Sequence, residues 1–130
     1  MGKFDYLKKY PPAPKRNLAP LRALMDERKV TRWEDFPLGT QDAYLAIAAC
    51  YPGLQVYACG SRVKGYYADE GDIRAQHIRS ALGKRKLVSD FDFIAPRGAT
   101  PVKPLPPRTD ISGVHPMEGS VIPVPIAPLP

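Results

Sequence analysis

Two short segments of the sequence carry residues whose types and spacing could do chemistry. The first, VYACGSRVKG at residues 56–65, is an apolar run that ends in Gly60 and Ser61 and continues with the cations Arg62 and Lys64. A strand that ends this way offers backbone N–H groups and a hydroxyl to an anion, and the missing glycine side chain lets a phosphate approach the main chain. The segment therefore predicts a phosphate-binding turn made by these four residues.

The second segment is SDFDF at residues 89–93, which places Asp90 and Asp92 one residue apart in an apolar strand. Residues i and i+2 of a strand share a face, so the two carboxylates lie side by side while Phe91 and Phe93 turn to the opposite, buried face. Adjacent carboxylates repel each other, and a hard divalent cation is the usual partner that offsets the repulsion. The pair predicts a metal site for phosphoryl or nucleotidyl transfer, with a solvent-facing edge strand as the alternative.

Taken in order, CGSRVKG and SDFDF resemble the pattern of the polymerase-β-like nucleotidyltransferase superfamily, in particular its minimal single-domain members. That pattern is Gly-Ser, a short basic helix, and then Asp-x-Asp on the next strand, and the resemblance covers residues 40–112. It implies that Gly60 and Ser61 hold the β- and γ-phosphates of a nucleoside triphosphate. It also implies that Asp90 and Asp92 coordinate two magnesium ions, with manganese as the alternative, for transfer of a nucleoside monophosphate to an acceptor hydroxyl.

The family has a third carboxylate on a later, neighbouring strand, and three assignments are open for it. Asp110 lies in RTDIS, a stretch with strand character in which Ile111 would face the core and Asp110 the side of the Asp-x-Asp pair. Glu118 stands in HPMEGS, where a proline and a glycine mark a turn. The remaining alternative is a domain without a third carboxylate. We predict Asp110, as a third metal ligand that also helps to activate the acceptor hydroxyl.

The segment between the two motifs departs from the family pattern. Ser61 and Asp90 are separated by 28 residues, a longer gap than is usual, and the segment 62–86 holds seven basic residues against three acidic ones. Two interpretations are open for this basic insert. It guides a nucleic acid or a second phosphate towards the site, or it is a solvated helix face.

The hydrophobic pattern predicts the elements that must position these motifs. Two helices are expected before the first strand, one from Asn17 to DERKV and one from Thr40 to Pro52, with a short capped turn at TRWEDFP between them. The helix at 73–82 should bury Ile73, either His77 or Ile78, and the pair Ala81 and Leu82. Strands are expected at 54–59 and 87–95, with short edge pieces in RTDIS and SVIPVPI. The predicted fold class is α+β, a small mixed β-sheet with helices packed on one face.

Length and composition set the limits around this domain. The chain of 130 residues is one domain, and its net charge of +6 suits an anionic partner. We expect a basic, proline-rich arm at 1–16, the nucleotidyltransferase-like domain at 17–112 with its basic insert at 66–86, and a proline-rich tail at 113–130. Cys50 and Cys59 have neither metal-ligand nor redox spacing and are expected to be reduced packing residues.

The expected location and partners of the protein rest on sequence signals that are missing and on the resemblance. No run of eighteen apolar residues and no signal-peptide core is visible, so we expect a non-secreted, cytoplasmic protein without a membrane partner. The larger relatives bind the acceptor with a second helical domain that is missing here. A partner chain, a second copy in a homo-oligomer or a shallow surface would have to supply that role, and the acceptor is a nucleic acid, a protein or a small molecule. The alternative function is a non-catalytic basic binding or structural module of a larger assembly.

Overall fold

The computed structural model describes residues 17–84, 86–112 and 122–130, and in them the chain forms an α+β domain with a small, mixed, four-stranded sheet. This confirms the α+β class and the mixed sheet. The elements follow in the order α1 (Ala19–Arg28), a 3-10 turn (Trp33–Asp35), α2 (Leu38–Ala48), β1 (Tyr57–Cys59), α3 (Ser61–Lys64), α4 (Ile73–Ala81), β2 (Phe91–Ile94), β3 (Thr109–Ile111) and β4 (Val124–Pro125). Among the described residues, no helix combines the length and apolar character needed to cross a bilayer.

The sheet has the strand order β3-β2-β1-β4. Strand β1 is antiparallel to both β2 and β4, whereas β2 and β3 run parallel. Ala58 lies opposite Phe93 on one side and Val124 on the other, and all three are buried. The next register position along β1 and β2 pairs Cys59 with Asp92. Since successive residues alternate between faces, the aspartate lies on the face opposite the hydrophobic core.

Helix α2 and the C-terminal segment complete the main core. Tyr44 and Ile47 of α2 are fully buried, and they belong to the same cluster as Val124 and Ile126. The backbone N–H of Ile126 donates to Val56 O at 2.9 Å. The predicted strand in SVIPVPI is therefore present, and it supplies core residues from a segment that we had assigned to a tail outside the domain. An edge strand tolerates the prolines because part of its backbone needs no ladder partner.

A second, smaller cluster joins α1 to α4 through Leu24, Ala68 and Ala75. The Asp72 side chain caps α4 by accepting from the backbone N–H of Ala75 at 3.2 Å, where the sequence placed the helix start. Of the two alternatives that the pattern left open for this helix, Ile78 is partly buried and packs against the cluster.

Helix α4 is rotated relative to the expected apolar face. Ile73 is 78 % exposed and His77 is also exposed, whereas Ala75 and Arg79 are the buried positions. The small side chain of Ala75 lets α1 approach α4 closely, and Arg79 follows it four residues later on the same side. The expectation of a packed His77 is therefore wrong.

The cap of the 3-10 turn also differs from the prediction. The sequence suggested a pair of Thr31 and Glu34, but the carboxylate that closes the turn is that of Asp35. It accepts from the backbone N–H groups of Thr31 and Arg32 at 3.2 and 3.1 Å and from the Thr31 hydroxyl at 3.1 Å. The cap residue is Arg32 and not Thr31, so the residue three positions after it is Asp35.

Candidate active site

Three aspartates lie near one another where β2 and β3 run side by side. Asp92 and Asp110 are register partners across the parallel pair, and Asp90 lies two residues before Asp92, just ahead of β2. Burial raises the pKa of the half-buried Asp92 carboxyl, and the negative charges of Asp110 and then Asp90 raise it further. The three acids that the sequence singled out are thus near enough for the charges of Asp110 and Asp90 to act on Asp92.

Gly60 forms the wall against which Asp92 packs. Its φ of +77° lies in the region that favours glycine, and a methyl group there would fall on Oδ2 of Asp92 and come within 3.0 Å of the Asp92 Cβ. A side chain at position 60 would displace the central carboxylate. The glycine that ends β1 is therefore required by the acid on β2, which joins the two sequence motifs at one point.

Gly65 closes the same turn on its other side, against the end of α1. Its φ is +94°, and a methyl group would lie 2.7 Å from the Lys29 N and 2.8 Å from the Met25 O. The neighbouring backbone hydrogen bond from Val30 N to Val63 O, at 2.9 Å, holds α1 and α3 together. The second glycine of GSRVKG thus anchors the turn to α1.

Ser61 and Lys64 lie on α3 with polar groups that no neighbour occupies. The amide N–H of Ser61 stands in the first turn, where the helix offers no acceptor, and the Ser61 hydroxyl makes no hydrogen bond within residues 17–84, 86–112 and 122–130. Lys64 is partly exposed and forms no ion pair with a described carboxylate. Both remain suited to the phosphate contacts predicted for them.

Arg62 does not join them, because its side chain is buried. Its side chain is 1 % exposed, pairs with Asp69 at 2.8 Å and donates to the Ser89 O at 2.9 Å. The guanidinium carbon lies 3.8 Å from the centroid of the Phe91 ring. A cation held inside by a carboxylate, a carbonyl and an aromatic face does not reach a phosphate at the surface. Arg62 instead ties α3 to the start of β2 and so positions the Asp-x-Asp pair.

Lys86 is a neighbour of the acids that sequence reasoning did not single out as a site residue. Its Nζ lies 2.7 Å from Oδ2 of Asp90. The Asp90 side chain is 27 % exposed and that of Lys86 70 %. The ammonium therefore supplies an exposed counter-charge to one of the three aspartates. The four-residue spacing between Lys86 and Asp90 was visible in the sequence, but these residues are not helical, so helix spacing gave no reason to pair them.

The residues present fit a hard divalent metal by their chemistry. Asp90, Asp92 and Asp110 offer carboxylate oxygens, which magnesium and manganese prefer. The pKa of Asp92 is raised by burial first and then by the charges of Asp110 and Asp90. In the described part of the chain, however, no three such side chains already converge on one point. The Asp90 side chain, turned towards Lys86, is the one that would have to swing inwards.

The remaining candidates divide into buried and undescribed residues. Cys50 and Cys59 are free and buried, which confirms that they are reduced packing residues. Burial, with the charges of Asp92 and Asp110, raises the pKa of the Cys59 thiol to about 11, so it stays protonated at neutral pH. Glu118 and His115 lie outside the described residues, as do Arg85 of the insert and the arm at 1–16.

Comparison of the chain with models of known protein families, with curated proteins and with solved structures gave no match. The functional assignment therefore depends on the geometry of the site and on the sequence motifs.

Proposed function

We propose that the protein is a metal-dependent nucleotidyltransferase that moves a nucleoside monophosphate from a nucleoside triphosphate to an acceptor hydroxyl. The hydroxyl oxygen forms a bond to the α-phosphorus, the bond from that phosphorus to the bridging oxygen breaks, and pyrophosphate leaves with the bonding electrons. The hydroxyl proton passes to a carboxylate. This reaction requires a phosphate-binding element, acids for a metal, and a base at one place.

The observation that carries the proposal is the contact between Gly60 and Asp92. It supports a common site because the turn with Ser61 and Lys64 begins where the central carboxylate stands, and Asp110 is the register partner of that carboxylate. If the turn and the acids were unrelated, no glycine would be required where the turn contacts Asp92.

The roles follow from position. Ser61 and Lys64 bind the phosphates, with the main chain at Gly60 open to close approach. Asp90, Asp92 and Asp110 would hold magnesium or manganese, which when bound neutralises the charge that develops on the phosphates. Asp110 is exposed, and it is the carboxylate best placed to receive the acceptor proton.

Two measurements test this function. Magnesium with a non-hydrolysable nucleoside triphosphate should raise the melting temperature, because a ligand at 100 times its Kd stabilises the native state by about 2.7 kcal/mol. An α-phosphate-labelled triphosphate should yield labelled acceptor with the wild-type chain and none with Asp92→Asn. Asp42→Asn is the matched control, since Asp42 is an exposed acid on α2 without an ion pair to a described residue.

A lack of both nucleotide binding and label transfer would reject this function. If each of the four nucleoside triphosphates, with magnesium or manganese, leaves the melting temperature unchanged and no label is transferred, the chain is not a nucleotidyltransferase. The non-catalytic basic binding or structural module would then be the better description of this fold.

A further inference from the structure

A cavity of about 290 Å³ lies beside the proposed active site, between α1, α3 and the C-terminal end of α4. Leu21 and Met25 of α1 and Leu82, just after α4, form its apolar side. Its size is at the lower end of the range for small-molecule sites, which usually combine an apolar lining with a few polar groups.

Arg79 lines this cavity although it is 7 % exposed. Its Nη1 donates to the Ser89 hydroxyl, its Nε has no hydrogen-bond partner, and no described carboxylate pairs with the guanidinium. A buried charge without a counter-ion is strongly destabilising, so proteins pair such groups with an acid or with a bound anion. Arg62, the other buried arginine of the described chain, also has nitrogens without a hydrogen-bond partner, but its charge is paired with Asp69. The charge of Arg79 is not paired with any described carboxylate.

Two further cations line the same cavity. Lys64 and Lys84 both contribute to its wall, and neither ammonium is paired with a described carboxylate. Three unpaired cations around one small space strongly favour a ligand with more than one negative charge. A phosphate monoester carries about two negative charges at neutral pH, and the apolar side would take its organic part.

The cavity shares a side chain with the proposed active site. Lys64, at the end of the helix that follows Gly60, lines the cavity and also belongs to the phosphate-binding turn. Tyr66 lines it as well, and the pKa of the Tyr66 phenol is raised by burial and then by the charge of Asp92, while Arg79 acts in the opposite direction. A molecule in the cavity would therefore border the turn on which the proposed transfer depends.

We propose that this cavity binds a small organic phosphate monoester, with its phosphate on Arg79 and Lys84 and its organic part against Leu21 and Met25, and that this ester is the acceptor. Lys64 lies between the two sites and contacts both this phosphate and those of the nucleotide. The acceptor role depends on the proposed nucleotidyltransferase function, whereas binding in the cavity does not. In the transfer, a hydroxyl of the ester bonds to the α-phosphorus, pyrophosphate departs, and the hydroxyl proton passes to Asp110. Such an acceptor is anionic, which distinguishes it from cationic acceptors such as amino sugars.

Phenyl phosphate is the probe for the binding step. Titrated into the isotope-labelled full chain and followed by amide NMR, it should give saturable shifts at the cavity residues with a Kd below about 1 mM. Phenol and inorganic phosphate should each bind about tenfold more weakly or less, because each offers half of the required chemistry.

Variants locate the site. Leu21→Trp fills the cavity and should abolish the shifts, and Lys84→Gln should raise the Kd about threefold to tenfold. Arg79→Met should raise it by more than tenfold, and if that variant does not fold, the two partly exposed positions still decide the matter. Lys103→Gln is the matched control, since Lys103 is an exposed cation outside the cavity, and its Kd should equal that of the wild type.

The results that overturn the inference are separate from those that overturn the function. Absence of saturable shifts at the cavity, or an unchanged Kd in both Leu21→Trp and Lys84→Gln, rejects the phosphate monoester site even if magnesium and nucleoside triphosphate stabilise the protein. Phenyl phosphate binding without any nucleotide effect rejects the transferase and the acceptor role, and leaves the cavity as an organic phosphate site.

Discussion

Charged residues are arranged in opposite ways in two regions of the molecule. Between α1 and α4, acidic and basic side chains are paired. Nη1 of Arg28 lies 2.5 Å from Oδ2 of Asp72, and Nη1 of Arg74 lies 2.6 Å from Oε2 of Glu27. At the junction of β2 and β3, three aspartates are gathered with Lys86 as their one described ion-pair partner. The pKa values of Asp72 and Glu27 are lowered, chiefly by hydrogen bonds from their arginines, whereas that of Asp92 is raised.

The two regions differ in whether the charges are paired within the fold. Pairing satisfies a charge within the fold, so the α1–α4 region needs nothing further. Like charges held together without sufficient partners disfavour the folded state, and such an arrangement is expected where an external ligand completes it. The acid cluster is the place where we propose a cation, and Arg79 is where we propose an anion.

The largest expected effect is on activity at the acid cluster. Asp92→Asn and Asp110→Asn keep the shape but remove a negative charge, so transfer should fall by about 100-fold or more while the fold is retained. Nucleotide binding should survive in Asp110→Asn. The check is labelled transfer beside thermal denaturation, with Asp42→Asn as control. Transfer at the wild-type rate in both variants would contradict the catalytic assignment.

The second largest expected effect is a loss of stability when a methyl group is added at Gly65, in the turn that packs against α1. Gly65→Ala combines a φ of +94° with a clash against the α1 backbone and should cost about 2–4 kcal/mol in urea denaturation. Gly53→Ala is the control, because Gly53 has a φ of +75° but open space around it, and it should cost about 1 kcal/mol. Equal losses in the two variants would show that the contact with α1 contributes nothing.

A smaller loss is expected from the paired region. Asp72→Ala removes both the cap of α4 and the partner of Arg28, so the free energy of unfolding at pH 7 should fall by about 1–2 kcal/mol. The pKa of Asp72 is lowered in the fold, so its contribution is present above the ordinary value of 3.8 and is lost as the pH falls through the folded value. Denaturation of wild type and variant should therefore converge at acidic pH. A constant difference from pH 7 to pH 2 would assign the loss to packing.

The smallest effect has the opposite sign and lies at the acid cluster. The pKa of Asp92 is raised in the fold, so its contribution is favourable at low pH and is lost as the pH rises through the folded value. Without divalent metal at pH 7, Asp92→Asn should thus raise the melting temperature by about 1–3 °C. The gain should vanish near pH 3. A melting temperature below that of the wild type at pH 7 would show that the carboxylate is satisfied within the fold.

Much of this site could be predicted because its signals are local. The strand pattern of RTDIS placed Asp110 on a strand beside that of Asp92, as the register shows. Alternation along SDFDF predicts Asp90 on the same face as Asp92, but Asp90 lies just before β2, outside the paired residues. The alternation also put Ile111 on the core face, but this residue is 50 % exposed because β3 is an edge strand with little beyond it to pack against.

Arg62 and Arg79 could not be placed from the sequence for a different reason. Both are basic residues of a basic segment, and local pattern suggested a phosphate contact for one and steering or a solvated face for the other. Both are buried in the structure. The guanidinium of Arg62 contacts the Phe91 ring and the Asp69 carboxylate, and Arg79 lies on the same side of α4 as the small, buried Ala75. The direction of a long side chain depends on what packs against it, and these partners come from other turns and strands.

The sequence by itself determined the α+β class, the paired aspartates on one strand face, and the glycines that interrupt the strand and the turn. These follow from backbone geometry, which acts within a few residues. The tertiary structure alone decided that Gly60 lies against Asp92, that Arg62 serves the core, that Val124 and Ile126 belong to the sheet and core, and that Arg79 lines a cavity without an acid. Each of these depends on distant segments brought together by burial of apolar surface, whose contacts no local pattern records.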